Sequence, residues 1–295
     1  MADVVFRGVG TALVTPWKSD GSLDEAALAR FVDWQITEGV NFLVPCGTTG
    51  ENPAMSADEH RRVVDITVKT ANGRVPVLAG AGSNSTDKAT ELALMCIDLG
   101  ADGVLTITPY YNKPNPDGLR RHFGEQANAI EKKRSGFPMI MYNVPGRTGV
   151  NMTAETTLRI AREVPNVAGV KEASANMEQI LTILRDRPKG FVVLSGDDAW
   201  TLPLMACGAE GIISVASNEV PRLMRQMVDG RDVAIMNRLL PLLIGNFIES
   251  NPIPAKTAMK MMGILENDTV RSPLAPISDA NRKKVETILR DCGLL

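Results

Sequence analysis

Short apolar segments alternate with longer amphipathic segments along most of the chain. Eight apolar segments of strand length are bounded by glycine or proline, which predicts β-strands. They are Val9–Val14, Val40–Pro45, Val75–Gly80, Gly103–Thr108, Pro138–Tyr142, Val167–Lys171, Phe191–Ser195 and Gly211–Val215. The segments between them have helical spacing, at Asp24–Thr37, Ala57–Thr70, Thr86–Leu99, Asp117–Arg134 and Thr153–Arg162. The serine–glutamate spacings Ser22–Glu25 and Ser56–Glu59 predict capping boxes at two helix starts.

This alternation predicts parallel strand pairing, because a parallel strand is reached only through a crossover connection. Eight such units favour a closed (β/α)8 barrel, the TIM barrel. An open nucleotide-binding sheet is disfavoured, because the chain has neither a dinucleotide fingerprint nor a P-loop. After about residue 225 only helical patterns remain, at Asp232–Ile248, Pro254–Leu265 and Asp279–Cys292. We therefore predict an α/β barrel over residues 1–225 and a C-terminal helical extension over residues 226–295.

Composition and charge narrow the classes of partner. The 295 residues include 32 Lys and Arg against 34 Asp and Glu, a net charge of −2, with no basic block, which predicts no nucleic-acid partner. Every apolar stretch is shorter than the ~18 residues of a membrane span. The start, Met1–Val5, lacks the basic and apolar regions of a secretory signal. We therefore expect a protein that binds neither nucleic acid nor a membrane.

Cysteine and histidine usage argues against a zinc site or a disulfide framework. The four cysteines, at positions 46, 96, 207 and 292, are scattered and form no Cys-x-x-Cys pair. This pattern favours a reducing cytoplasm over an oxidising compartment. Only two histidines occur, His60 and His122, so a three-histidine metal centre is excluded. Carboxylates alone are the remaining candidate ligands, for Mg²⁺.

Lys171 directly follows the apolar run Val167–Val170, at a predicted strand end, where barrel enzymes carry their reactive groups. One interpretation is a rim lysine whose stem covers apolar surface while its charge stays in water. The other is an amine nucleophile that forms a Schiff base with a carbonyl substrate. An ordinary lysine has a pKa of about 10.4, and a useful nucleophile needs a pKa lower by roughly 3, about 4 kcal/mol. Burial at the barrel mouth supplies such a shift.

Two further strand ends carry groups suited to binding an anion. The segment Gly47–Gly50 is either a simple turn or a concave site for a small carboxylate, built from backbone N–H groups and the hydroxyls of Thr48 and Thr49. Arg147 lies in a Pro-Gly-x-Thr-Gly turn. It is either a solvated charge or a guanidinium that grips a substrate carboxylate through two N–H bonds.

Two tyrosines also follow predicted strands. Tyr111 and Tyr142 are core or interface aromatics in the simplest interpretation. If they share the barrel mouth with Lys171 and Thr48, their phenols and the threonine hydroxyl can instead form a proton relay.

Four motifs together resemble one family of enzymes. They are Gly47–Glu51, Tyr110–Asn112, Tyr142–Gly149 and Val170–Ala173. In this order and spacing they resemble the dihydrodipicolinate synthase/N-acetylneuraminate lyase family of class I aldolases. The resemblance covers nearly the whole chain and continues to Asn251–Lys256 in the helical tail.

The resemblance implies a Schiff-base mechanism that needs no metal or organic cofactor. Lys171 is expected to form an imine with pyruvate, and Arg147 to bind the carboxylate of a second substrate, L-aspartate 4-semialdehyde. The enamine derived from the imine would attack the aldehyde of that substrate. The expected catalytic residues are Lys171, Tyr142, Thr48 and Tyr111, and the expected substrate-binding residues are Thr49, Arg147, Ile213 and Gly196.

The resemblance also implies an assembly of several copies. In the family, the residue that matches Tyr111 reaches the site from a neighbouring subunit of a tight dimer, and two dimers usually form a tetramer. A homo-oligomer, a dimer of dimers, is therefore expected here.

Two positions separate the branches of the family. Neuraminate lyases typically carry serine where Thr48 stands and lack an arginine that matches Arg147, so both residues favour the synthase branch. A related pyruvate-dependent sugar-acid aldolase, such as an N-acetylneuraminate lyase or a 2-keto-3-deoxy sugar-acid aldolase, is the alternative. A catalytically dead barrel that only binds a partner is disfavoured, because the nucleophile and its relay are all present.

One departure from the family concerns regulation. Lysine-inhibited synthases have a pocket at the tight-dimer interface in which a histidine and a glutamate recognise the inhibitor. Spacing from Gly47 and Gly80 places Ala57 and Lys88 at those two positions. The other pocket residues are kept, as His60, Asn84 and Tyr110. A lysine at position 88 would repel the ammonium of L-lysine, so we expect weak or absent feedback inhibition.

Overall fold

Eight parallel strands form one sheet that closes on itself. The computed structural model describes residues 6–295. Its strands are β1 Gly8–Ala12, β2 Phe42–Val44, β3 Leu78–Gly80, β4 Gly103–Ile107, β5 Met139–Asn143, β6 Val167–Glu172, β7 Val192–Ser195 and β8 Gly211–Ser214. Their hydrogen-bonded order is β2-β1-β8-β7-β6-β5-β4-β3, and a parallel bridge between Leu43 and Val77 joins the two ends. The predicted TIM barrel is confirmed.

Helices surround the barrel and continue beyond its last strand. They are α1 Glu25–Thr37, α2 Ala57–Ala71, α3 Thr86–Asp98, α4 Pro116–Lys133, α5 Pro145–Thr148, α6 Ala154–Glu163, α7 Met177–Asp186, α8 Thr201–Ala206, α9 Pro221–Gly230, α10 Val233–Gly245, α11 Ile253–Met261 and α12 Asp279–Asp291. Within residues 6–295, none of these helices has both the length and the apolar character needed to cross a membrane. The first five residues, on which the expectation of no secretory signal rests, lie outside the described part of the chain.

The two predicted capping boxes have different outcomes. At the start of α2, the Glu59 N–H donates to the Ser56 hydroxyl over 3.2 Å, and the Ser56 N–H donates to the Glu59 carboxylate over 2.9 Å, which confirms that box. The box predicted at Ser22 is wrong, because Asp24 caps α1 by accepting the Ala27 N–H over 2.9 Å. A carboxylate immediately before the first turn satisfies the free N–H group of the helix start, and the Ser22 hydroxyl binds Asp20 instead.

Apolar side chains fill the barrel and the layer around it. The interior cluster includes Phe42, Leu78, Leu105 and Ile140. A second cluster joins barrel strands to α9–α12, so the C-terminal helices are packed against the barrel rather than tethered to it. The predicted boundary at residue 225 falls inside α9, and the division into two domains stays a prediction.

Side-chain alternation at the ends of β5 and β6 decides which groups face the interior. Tyr142 pairs with Lys171 in the parallel register, and Asn143 pairs with Glu172. Because neighbouring residues on a strand point to opposite faces, Tyr142 and Lys171 project together into the barrel. Asn143 and Glu172 project together toward the helices.

Candidate active site

A cavity of about 190 Å³ lies at the C-terminal ends of the strands. Its wall contains every predicted site residue except Tyr111, namely Thr48, Thr49, Tyr142, Arg147, Lys171, Gly196 and Ile213. These residues come from widely separated parts of the chain and meet because parallel strands all end at the same rim of the barrel.

Lys171 lies inside this cavity and not on its rim. The residue is only 6% exposed, which excludes the interpretation as a lysine whose charge stays in water. Its Nζ lies 4.3 Å from the centroid of the Tyr142 ring. Burial lowers the pKa of Lys171 to about 7; the Asp198 carboxylate opposes this shift, and the Arg147 charge adds to it. About half of the amine is therefore neutral at pH 7, roughly 10³-fold more than for an ordinary lysine.

Tyr142 is buried beside the amine. Burial raises the pKa of Tyr142 to about 12, while the positive charge of Arg147 and a hydrogen bond with Thr48 act in the opposite direction. The phenol thus keeps its proton at neutral pH. It can donate a hydrogen bond to a substrate oxygen and pass a proton to a neighbouring hydroxyl.

The loop Gly47–Glu51 carries two hydroxyls into the cavity. The Thr49 hydroxyl accepts a hydrogen bond of 2.9 Å from the Asn251 side-chain amide. Within residues 6–295 this hydroxyl donates to no protein acceptor, so its own hydrogen is available to donate to an anion in the cavity. The arrangement suits a small carboxylate.

Two backbone positions complete the floor of the cavity. A Cβ added at Gly196 would lie 2.6 Å from the Ala173 Cβ and 3.2 Å from the Lys171 Cε, so only glycine leaves room for the lysine stem. Ile213 lies on β8, where the Asp198 carboxylate accepts hydrogen bonds from the Ser214 hydroxyl and the Val215 N–H, over 2.5 and 3.0 Å. Asp198 therefore fixes the strand end at which Ile213 faces the cavity.

Arg147 stands at the mouth of the cavity on the short helix α5. The residue is exposed. Among residues 6–295, its guanidinium forms no ion pair with a carboxylate. A guanidinium that is not committed to a protein carboxylate is suited to binding the carboxylate of a ligand.

The cavity thus holds a buried amine, a buried phenol and a loop with two hydroxyls. The chain is also similar to known proteins. The model of the dihydrodipicolinate synthetase family matches residues 5–292. The chain belongs to that family. A 4-hydroxy-tetrahydrodipicolinate synthase from Oleidesulfovibrio alaskensis is 50% identical over 98% of this chain and 99% of its own length.

Solved structures of family members resemble the chain over nearly its full length. A chloride-inhibited dihydrodipicolinate synthase from Acinetobacter baumannii, crystallised with pyruvate, is 38% identical and has a TM-score of 0.93, covering 98% of this chain and 99% of its own. A synthase from Cyanidioschyzon merolae with lysine bound is 36% identical, also with a TM-score of 0.93, covering 99% of both chains.

Tyr111 is the one predicted site residue of this family member that lies away from the cavity. Its side chain is 88% exposed, and its backbone has a φ of 74°, a left-handed conformation that is uncommon outside glycine. The phenol therefore points out of its own barrel. In a single chain it does not join Tyr142 and Thr48.

A larger cleft of about 650 Å³ borders the cavity and shares Thr48, Tyr142 and Arg147 with it. Ala57 and Lys88 both line this cleft, together with His60 and Tyr110. The two positions that the family resemblance associates with inhibitor recognition thus line one cleft beside the cavity, where this chain carries a methyl group and an ammonium.

Several residues that support the site were given no role from the sequence. Glu172 is buried behind Lys171 and accepts hydrogen bonds from the Ser174 N–H over 2.7 Å and from the Asn143 and Gln179 amides over 3.2 Å. Burial raises the pKa of Glu172, and these hydrogen bonds oppose the rise. The network ties β5, β6 and α7 together at the level of the amine.

The supporting residues had a partial signal in the sequence. Asp198 follows a predicted strand end, and Asn251 opens the motif that continues the family resemblance into the tail. Phe247 lines the cavity although it is 44% exposed, and no motif marked it. Within residues 6–295, the His, Cys, Asp and Glu side chains form no group of three that could hold a metal ion.

Proposed function

We propose that this chain is a 4-hydroxy-tetrahydrodipicolinate synthase, which condenses pyruvate with L-aspartate 4-semialdehyde through a Schiff base on Lys171 in lysine biosynthesis. The observation that carries the proposal is the buried Lys171 amine, whose pKa is about 7, in contact with the Tyr142 ring. The names of the relatives support the choice of reaction.

The first step is the attack of the neutral Lys171 amine on the ketone carbon of pyruvate. The carbinolamine loses water to give an imine, which is protonated more easily than a ketone and so withdraws electrons from the neighbouring methyl group. Loss of a proton from that methyl group then gives an enamine. Tyr142 lies at the amine, where its phenol can supply and remove the protons of these steps.

The proton relay is proposed to extend from Tyr142 through Thr48 to Tyr111. Thr48 contacts the Tyr142 phenol. Tyr111 projects away from its own barrel, which suits a residue that completes the site of a neighbouring copy, as in the family. We propose a homo-oligomer for this reason, with a tetramer of two dimers as the expected assembly.

Pyruvate is held by its carboxylate. The Thr49 hydroxyl, with its hydrogen free to donate, binds one side, and the backbone at Ile213 and the open space at Gly196 accept the rest of the molecule. The carboxylate then fixes the ketone carbon within reach of the amine, which lowers the entropic cost of the attack.

The second substrate enters past Arg147, whose guanidinium binds the carboxylate of aspartate semialdehyde. The enamine carbon attacks the aldehyde carbon, which becomes a hydroxyl-bearing carbon. The amino group of the same substrate then attacks the imine carbon and closes the ring. The bond to Lys171 breaks, and the amine is regenerated with no oxidant, reductant or metal consumed.

The four cysteines are free in the structure, as is usual in a reducing compartment. We place the reaction in the cytoplasm.

A turnover assay with competing substrates tests this function. Purified protein is incubated with pyruvate and aspartate semialdehyde, and the cyclic product is measured by mass spectrometry. The same preparation is offered N-acetylneuraminate and a 2-keto-3-deoxy sugar acid, with pyruvate release as the readout. The Lys171→Ala variant is the matched control. We expect condensation with the semialdehyde and little release from the sugar acids; faster release from a sugar acid would make the chain an aldolase instead.

A further inference from the structure

A buried ion pair lies behind the cavity and outside it. The Lys256 ammonium contacts the Glu51 carboxylate over 2.5 Å, and each side chain is only 1% exposed. Neither residue lines the cavity. Lys256 belongs to α11, and Glu51 ends the loop that carries Thr48 and Thr49.

The Glu51 carboxylate is a junction between three parts of the chain. Besides Lys256, it accepts the Trp17 indole N–H over 3.0 Å and the Arg271 backbone N–H over 2.9 Å. The Lys256 ammonium also donates to the Thr269 carbonyl over 2.9 Å. Both members of the pair are thus fully engaged, as a charge excluded from water requires.

The backbone at Glu51 needs this support. Its φ of 59° is in the left-handed region, which a residue with a side chain keeps only when its surroundings hold it there. The donors around the carboxylate do so. Because Glu51 lies two residues after Thr49, the same contacts limit the positions that the Thr49 backbone can take.

The helix α11 reaches Thr49 by a second route. Asn251, two residues before the first residue of α11, donates its side-chain amide to the Thr49 hydroxyl over 2.9 Å. Lys256 is the fourth residue of that helix. One helix therefore touches the loop at a hydroxyl that faces the cavity and at a carboxylate buried behind it.

We propose that Glu51 and Lys256 form a positioning pair, through which α11 of the C-terminal extension sets the Thr49 hydroxyl for the carboxylate of pyruvate. This inference rests on the proposed function. It gives the extension a role in substrate binding besides packing. Since the pair touches neither Lys171 nor Arg147, its loss should impair pyruvate binding while the later chemistry and the second substrate are affected less.

The first experiment replaces the ammonium with an apolar group of similar length, as Lys256→Met. We expect the KM for pyruvate to rise at least about tenfold, because small displacements of a positioning group have large effects. We expect kcat and the KM for aspartate semialdehyde to change less than about twofold. The matched control is Lys260→Met, one turn further along α11, which removes an exposed ammonium that pairs with the half-buried Asp268 and should leave all three constants unchanged.

A second variant keeps the inference testable if the first does not fold. Lys256→Met leaves a buried carboxylate without its partner, whereas the double variant Glu51→Gln/Lys256→Met leaves no buried charge, and so is expected to fold. Its KM for pyruvate should also be raised. A folded variant of either kind with an unchanged KM for pyruvate, even with a lower melting temperature, would show that the pair only stabilises the fold.

Reduction of the Schiff base with borohydride separates this inference from the proposed function. If the parent protein traps pyruvate and the variants trap it with the same concentration dependence, the positioning role is wrong and the function stands. If the parent traps no pyruvate, both are wrong. The expected result is trapping in all folded forms, with the variants requiring at least about tenfold more pyruvate.

Discussion

The amine of Lys171 shows how position changes the chemistry of one residue type. Burial lowers the pKa of Lys171, and Asp198 limits the shift, so that the amine titrates near pH 7. Asp198 is itself buried, which raises its pKa to about 6, while its hydrogen bonds with Ser214, Ala216 and Val215 favour the ionised form. One carboxylate therefore holds the end of β8 and also influences the amine.

The variant Asp198→Asn tests this coupling. The kcat/KM for pyruvate reports on the free enzyme, and it should fall as pH drops below about 7 because the attacking amine becomes protonated. Removing the Asp198 charge removes an influence that raises the pKa of Lys171. In Asp198→Asn, this fall of kcat/KM at low pH, the acid limb of the profile, should therefore move to lower pH. At higher pH, kcat/KM should stay level until Tyr142 ionises near pH 12.

The pH profile is measured between about pH 5 and 9, which brackets the expected limb. Asp186→Asn serves as the control, because that carboxylate lies on the exposed end of α7 and pairs with Arg185. Its profile should match that of the parent. An acid limb that stays in place or moves to higher pH in Asp198→Asn would contradict the assigned influence of the carboxylate.

The elements of the fold were largely predictable from local patterns, and the exceptions have physical causes. All eight strands appear where apolar runs bounded by glycine or proline predicted them, with ends shifted by a few residues. Helices α5, α7, α8 and α9 had no prediction. The segments of α5 and α8, with four and six residues, are too short to display a helical period. The ten-residue helices α7 and α9 were missed. The capping box predicted at Ser22 was wrong because Asp24 caps α1, although the predicted start of that helix was correct to one residue.

Contacts between distant elements were predictable at the strand ends and not elsewhere. Lys171, Tyr142 and Thr48 were found because each stands at a strand end, and a barrel brings all strand ends together. Glu51 and Lys256 are 205 residues apart, and no local pattern indicates that they touch. The same holds for Asn251 and Thr49, which are separated by 202 residues.

At the scale of the whole molecule, the cleft beside the cavity bears on regulation. Ala57 and Lys88, at the two positions where the family resemblance implies a histidine and a glutamate for lysine recognition, line it. Lys88 is exposed, and its ammonium repels a cationic ligand, so we expect millimolar L-lysine to leave turnover nearly unchanged. The measurement is the initial rate at subsaturating pyruvate with increasing L-lysine.

The double variant Ala57→His/Lys88→Glu tests the same expectation in the opposite direction. It replaces the ammonium at position 88, which repels L-lysine, with a carboxylate that attracts it, so inhibition by L-lysine should appear or strengthen. Lys88→Gln is the control, because it removes the repulsion without adding a carboxylate and should gain less. Half-inhibition of the parent protein at sub-millimolar L-lysine would contradict the expected insensitivity.

The central claim is that Lys171 is the nucleophile that binds pyruvate covalently, and borohydride trapping tests it most directly. The protein is incubated with pyruvate, reduced and digested, and the peptide that contains Lys171 is weighed, with Lys171→Ala and a sample without pyruvate as controls. We predict one reduced pyruvyl group on Lys171 and none in either control. An unmodified Lys171, or a pyruvyl group on another lysine, would contradict the claim.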